Sequence, residues 1–141
     1  MSDFRAFFKE NKKQTEHKFY AATKSICDEK GEPLKWELRQ LTSREVDDIR
    51  DQNTIEVQIP GKPGMFRNRV NGSKMNLDMV CASIVKPDLS NAKLQDSYGV
   101  KTEADLLQEM IDNPGEYANL VQFVTEMNGY ELDEEVESAK N

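Results

Sequence analysis

TEADLLQEMIDNPGEYANLVQFVTEMNG, residues 102–129, is the stretch that decides the fold. It reads as two amphipathic helices joined by a turn, with both helix starts written in residues. Thr102 is an N-cap with Asp105 in the first turn. In Asn113-Pro114-Gly115-Glu116, Asn113 caps and Pro114 takes the first helical position, where its missing N–H costs nothing. Glu116 is placed to reach back to the cap. Gly129 supplies the left-handed residue that ends many helices. At 100° per residue, Tyr117, Leu120, Val121, Phe123, Val124 and Met127 cover an arc of about 160°, wider than the stripe of about 100° that a surface helix needs. Ala104, Leu106, Leu107, Met110 and Ile111 cover a similar arc on the first helix. Either the pair is wedged between two layers of its own domain, or one flank is left for a partner.

Upstream of the pair the helical pattern continues. Ser73 can cap a helix running to about Lys86, with Leu77, Val80, Cys81, Ile84 and Val85 on one stripe and Met79 off it; Pro87 stops it. Ser90 to Tyr98 forms a short helix with Leu94 inward, ended at Gly99. Before residue 60 the period changes to two. Phe19, Ala21 and Thr23 alternate with Lys18, Tyr20 and Lys24. After the turn Asp28-Glu29-Lys30-Gly31-Glu32-Pro33, Leu34, Trp36 and Leu38 alternate with Lys35, Glu37 and Arg39. These two strands form a hairpin, and Trp36 is its expected core anchor. Thr42 and Glu45 spell a capping box with Leu41 and Val46 at the staple positions. The short helix that follows turns Val46 and Ile49 inward and Asp47, Asp48 and Asp51 outward. Thr54 to Ile59 alternates again as a third strand.

The expected fold is therefore α+β, with a small antiparallel sheet (the hairpin plus the third strand) in the N-terminal half. The C-terminal half is helical and ends in the αα-hairpin. The length of 141 residues fits a single domain, 1–141. Its parts are a β-rich portion 15–60, a Gly/Pro-rich loop 61–72, a helical portion 73–129 and an acidic flexible tail 130–141. Asp3 to Asn11 reads as a short helix whose Phe4, Phe7 and Phe8 form a clip expected to dock on the core.

Charge is unevenly spread along a chain of net charge −7. Through Met75 there are 15 Lys+Arg against 12 Asp+Glu, and from Asn76 onward 4 against 14. An acidic C-terminal half argues against wrapping nucleic acid there, because the phosphate term would be repulsive. The first ten residues hold no continuous apolar run and read as neither signal peptide nor membrane anchor. Two cysteines, Cys27 and Cys81, are too few for a secreted disulfide framework, so an intracellular protein is the default.

A search for chemistry assembles no catalytic constellation. His17, Cys27 and Cys81 lack zinc-site spacing and read as a strand-end imidazole and two small core thiols. A Cys–His nucleophile pair has no local motif behind it. Gly72-Ser73-Lys74 has the elements of a phosphate loop in the wrong order. Arg67, Arg69 and Lys74 around Phe66 make a weak case for an anionic partner. Asp47, Asp48 and Asp51 face water, where a carboxylate gains no desolvation to shift its pKa. No catalytic, cofactor-binding or metal-binding residue is assigned. Met75, Met79, Met110 and Met127 lie in the C-terminal helices, and such thioethers fill core gaps or line adaptable binding surfaces. With the wide apolar arcs they lean toward a helix-binding surface, for which Leu107, Met110, Phe123 and Met127 are the candidates.

Three runs in order carry a family resemblance. The first is Pro33-Leu34-Lys35-Trp36-Glu37-Leu38-Arg39-Gln40-Leu41-Thr42-Ser43-Arg44-Glu45. The second runs from Ala82 through Val85-Lys86-Pro87-Asp88-Leu89 to Leu94-Gln95-Asp96-Ser97-Tyr98-Gly99-Val100. The third joins Leu106-Leu107-Gln108-Glu109-Met110 to Pro114-Gly115-Glu116-Tyr117 and on to Gly129. Together, from about Pro33 to Gly129, they resemble the tail assembly chaperones of long-tailed phages and defective prophages, the XkdN-like family. The resemblance implies a non-catalytic assembly factor of the host cytoplasm, absent from the mature virion. It would bind the tape measure protein, help recruit tail tube subunits, and use no cofactor, nucleic acid or membrane. Two alternatives stand beside it: a small cytoplasmic enzyme or enzyme subunit with an unrecognised site, and a regulatory nucleic-acid binder using the basic loop 62–74.

Overall fold

A computed structural model describes residues 3–131. Most of the acidic tail expected at 130–141 lies outside the described residues. The α+β class holds, and the chain builds its sheet from strands far apart in sequence. β1 (Lys18–Tyr20) pairs antiparallel with β2 (Trp36–Leu38), as the alternation predicts, with Lys18 opposite Leu38 and Tyr20 opposite Trp36. The third strand of this sheet is β5 (Ile84–Lys86), antiparallel to β2 on its other side with a register shift at Glu37/Leu38.

The expected third strand exists but pairs elsewhere. β3 (Thr54–Gln58) and β4 (Phe66–Val70) form a separate two-stranded hairpin, so the segment read as a loop, 61–72, contains a strand. Glycines at φ +75° and +79°, Gly61 and Gly64, turn the chain between them, a backbone region that side chains rarely adopt. The 2-period of Ile55, Val57 and Ile59 locates the strand correctly. It does not say whether that face is covered, and Ile55 is 56% exposed.

Five α-helices stand among the described residues: α1 (Ser43–Gln52), α2 (Gly72–Ser83), α3 (Ala92–Ser97), α4 (Glu103–Met110) and α5 (Pro114–Met127). Each starts on a side-chain cap, as the local sequence demands. Thr42 and Glu45 close the capping box of α1, and the staple residues Leu41 and Val46 are both buried. Thr102 and Asn113 cap α4 and α5, with Pro114 in the first turn. Gly129, at φ +91°, ends α5 as read from the sequence. α2 differs in detail, because Asn71 and not Ser73 caps it. It also stops at Ser83, where three β-compatible residues leave the helix to pair with β2.

α2 is the central element, because it touches α1, α4 and α5 and runs straight into β5. It therefore buries two faces. Leu77 and Val80 join the main core of Trp36, Leu38, Leu89, Leu106, Leu107, Met110, Ile111, Leu120 and Val124. Met79, off the sequence stripe, is buried in a second cluster with Leu41, Val46 and Ile49. Two of the N-terminal expectations are corrected here. Residues 3–11 form two short 3-10 helices, and Phe4, Phe7 and Phe8 remain 74%, 86% and 43% exposed instead of docked. On β1, Tyr20 is half-buried and Phe19 is exposed, so the inward face is the opposite of the one assigned by alternation. The reason is visible in the register, which sets Tyr20 beside the core anchor Trp36.

The Glu45 site makes a pH prediction. Arg39 grips both of its carboxylate oxygens, at 3.0 and 2.6 Å, and Thr42 N–H donates at 3.0 Å. The Arg39 hydrogen bonds first, and then that of Thr42, lower its pKa to about 2. A depressed carboxylate contributes stability that is whole above its unfolded pKa, ~4.3, and is lost as pH falls toward the folded value. The pair is about one-third exposed, so solvent screens it. Glu45→Gln should lower the melting temperature at pH 7 by a few degrees and flatten its decline between pH 4.5 and 2, read by thermal circular dichroism.

Candidate functional site

α5 is best understood as three parallel stripes. The middle one, Leu120 and Val124, is fully buried. At 100° per residue, Tyr117 and Val121 lie on one flank of it and Phe123 and Met127 on the other. All four flank residues are half-buried. The Phe123 flank is covered by β1: its ring stacks on Tyr20 with centroids 4.4 Å apart at 16°. The same end of the sheet is tied to α5 by Glu116. Its carboxylate accepts from Thr23 Oγ1 and Lys24 N–H, both at 2.8 Å, and does not reach back to cap Asn113. Those bonds, from Lys24 first and Thr23 second, hold its pKa below the usual carboxylate range.

The Tyr117 flank is open. It forms one wall of a groove of about 700 Å³ with Ala118 and Val121; Ala104, Asp105 and Gln108 of α4 and Ser73, Lys74, Asn76 and Leu77 of α2 complete it. Leu77 is a buried floor, Ala104, Tyr117 and Val121 are partly covered, and Ala118 is exposed. Burial raises the pKa of the Tyr117 phenol, followed by smaller effects of Cys81 and Asp78, so the ring stays neutral. Charge sits at the rim: Lys74 is paired with Asp78 along α2, and Asp105 stands on α4. An apolar trough between helices with a polar margin suits the apolar stripe of another helix.

The four candidate contact residues are distributed across this arrangement. Leu107 is completely buried and Met110 is 6% exposed, both inside the main core, where α4 packs on α2. Phe123 and Met127 stand on the flank away from the groove. The structure thus brings Leu107 and Met110 together in the interior, and not with Phe123 and Met127 on one open face. Of the groove's small residues, Ala104 counts in the apolar arc of α4, whereas Ala118 drew no attention in the sequence. An alanine at the edge of an apolar arc is the signal that marks close approach.

The chemistry-bearing residues are dispersed. His17 Nδ1 is 2.8 Å from Glu37 Oε2 at the start of β1, a strand-end position. Cys81 is half-buried, and burial, then Glu103 and Asp78, push its thiol up to about 12. Cys27, expected in the core, is exposed, its thiol donating to Lys24 O at 3.1 Å. Among the described residues no three His, Cys, Asp or Glu side chains converge to hold a metal ion. Nor is any described helix long and apolar enough to cross a membrane. Asp47, Asp48 and Asp51 face solvent as expected.

Comparison with known proteins supplies what the groove lacks, a biological setting. The sequence model of the family described as "Phage XkdN-like tail assembly chaperone protein, TAC" matches residues 4–140. The phage-like element PBSX protein XkdN of Bacillus subtilis (strain 168) is 25% identical over 121 residues, covering 84% of this chain and 80% of that protein. YqbN of the same strain, an uncharacterised protein, is 21% identical over the same shares. The crystal structure of the protein YqbN superposes with a TM-score of 0.77 at 17% identity, covering 93% of this chain and 99% of that one.

Proposed function

Since the chain belongs to the phage XkdN-like tail assembly chaperone family, we propose that its client is the tape measure protein of its own phage or prophage. The observation that carries this reading is the open, apolar-floored groove between α2, α4 and α5. A tape measure chain awaiting its tube exposes long apolar helical stripes, and such surfaces associate unless covered. The groove takes one stripe against Leu77, Ala104, Tyr117 and Val121. Leu107 and Met110 act from the interior by holding α4 in the core it shares with α2 and α5, while Phe123 seats α5 on β1 and Met127 packs on that core beside it. Coverage is temporary: tube subunits assembling around the tape measure displace the chaperone, which works in the host cytoplasm by binding alone and leaves the finished particle without it.

A shallow groove fits that cycle, because a client that must be released cannot be held in a closed cavity. Co-expression of the tape measure gene with this chain tests the reading. The tape measure protein should stay in the supernatant and co-purify with the chain, and purified tube protein should then release the chain from it. A tape measure protein that precipitates equally with and without this chain would sink the proposal.

A further inference from the structure

The β3–β4 hairpin runs against the charge of the rest of the chain. Between Thr54 and Val70 stand Lys62, Arg67 and Arg69 with a single acid, Glu56, in a chain of net charge −7. Directly opposed residues on antiparallel strands share a face. Ile55 lies opposite Arg69 and Val57 opposite Arg67, and Ile59 N–H bonds Met65 O, so Ile55, Val57, Ile59 and Met65 form an apolar strip beside two arginines. Ile55 and Met65 are more than half exposed. Neither guanidinium has an ion pair among the described residues. Among the described residues, hydrogen bonds tie the hairpin to the rest of the chain at its base. There Asn53 Nδ2 donates to Ile49 O at 2.8 Å and Asp78 Oδ2 at 3.0 Å, and Asn71 N–H donates to Asn53 O at 2.8 Å.

This arm adjoins the groove at its base. A recess of about 390 Å³ between it and the start of α2 is lined by Ile55, Arg69, Val70, Asn71, Gly72 and Ser73. Asn71 and Ser73 also border the groove, so recess and groove meet at the first turn of α2. We infer that the arm is a second contact for the same client, taking an acidic stretch that adjoins the apolar stripe held in the groove. Two residues apart on a strand, Arg67 and Arg69 are ~6.8 Å apart along it, close to the ~6 Å between the Cβ atoms of residues i and i+4 of a helix, the spacing of an acid pair there. A client helix with an acid pair beyond its apolar stripe therefore satisfies both surfaces at once. The arm also gives direction, since a helix laid in the groove the other way presents no acids to it.

This rests on the groove as the client site, and the test separates the two. The tape measure fragment captured by the wild-type chain is titrated into the full-length wild type, Arg67→Glu/Arg69→Glu and Ala118→Arg. Both arginines and Ala118 are exposed, so the variants fold. The arm variant should bind about tenfold more weakly in ~0.05 M salt, and the gap should close in ~0.5 M salt as screening removes the charge contact. Ala118→Arg should weaken binding at both salts. Weakening by Ala118→Arg alone would overturn the arm and leave the groove standing, whereas no loss in either variant would overturn both. Salt-sensitive binding of a duplex DNA of about 20 base pairs, lost in the arm variant with tape measure affinity unchanged, would also overturn the inference by making the arm a nucleic-acid contact.

Discussion

Leu107→Asp should yield no cooperatively folded protein. Leu107 has no exposed surface and packs in the main core with Leu106, Leu120 and Val124. Removing a buried leucine side chain costs about 2–5 kcal/mol from lost transfer energy and cavity. Placing an unpaired carboxylate there adds several kcal/mol more, even if the group neutralises by taking up a proton. The sum reaches the total stability of an ordinary domain, about 5–15 kcal/mol. Thermal circular dichroism at pH 7 should show no sigmoidal transition for this variant. A cooperative transition close to the wild type would mean that the α4–α5 packing is wrong. Met110→Asp should behave alike, with a smaller loss because its side chain reaches the core margin.

Ala118→Arg combined with Val121→Asp should do the opposite: keep the fold and lose the client. Ala118 is exposed and Val121 is half-buried on the open flank of α5. A charge there can reach water, so the stability cost stays near 1 kcal/mol. In the complex the same groove must be dehydrated. An arginine fills the trough, and the Arg–Asp pair the two changes create at i and i+3 must be stripped of water against an apolar helix, which costs several kcal/mol. Co-purification of the tape measure protein should drop by at least a hundredfold, with the melting transition still cooperative. The contrast between Leu107 and Val121 separates a residue that builds the helix pair from one that uses it.

Much of this was legible in the sequence where the signal is local. The caps Thr42, Thr102 and Asn113, with Pro114 and Gly129, place helix ends without reference to anything distant, and the structure has them there. Trp36 as core anchor followed from alternation. Pairing partners did not follow, because hydrogen-bonded neighbours depend on contacts far along the chain. β5 reads as the tail of a helix until β2 captures it, and β4 hides in a segment whose glycines and arginines suggest a loop. Glu116 shows the same limit: its position spells a capping box, yet Thr23 and Lys24, more than ninety residues upstream, take its carboxylate.

The site was half legible for a related reason. Apolar arcs on both helices of the pair are wider than one contact needs. Periodicity gives the width of an arc and is silent on which edge is covered. Leu107 and Met110 went to the interior, β1 covered Phe123 through Tyr20, and the flank of Tyr117 and Val121 stayed open. The phenylalanines at 4, 7 and 8 show the converse, an apolar stripe that the described chain leaves in solvent.

On the proposed function, the tape measure protein lies in the groove between α2, α4 and α5. The most direct measurement installs a photo-crosslinking amino acid at Ala118, in the groove, and separately at Asp48, which faces water on α1. Each full-length variant is irradiated during co-expression with the tape measure gene, and the products are resolved by mass spectrometry. A tape measure chain seated in the groove gives a crosslink from position 118 to one of its apolar helical segments, and none from position 48. Crosslinks from position 48 with none from position 118 would contradict that placement.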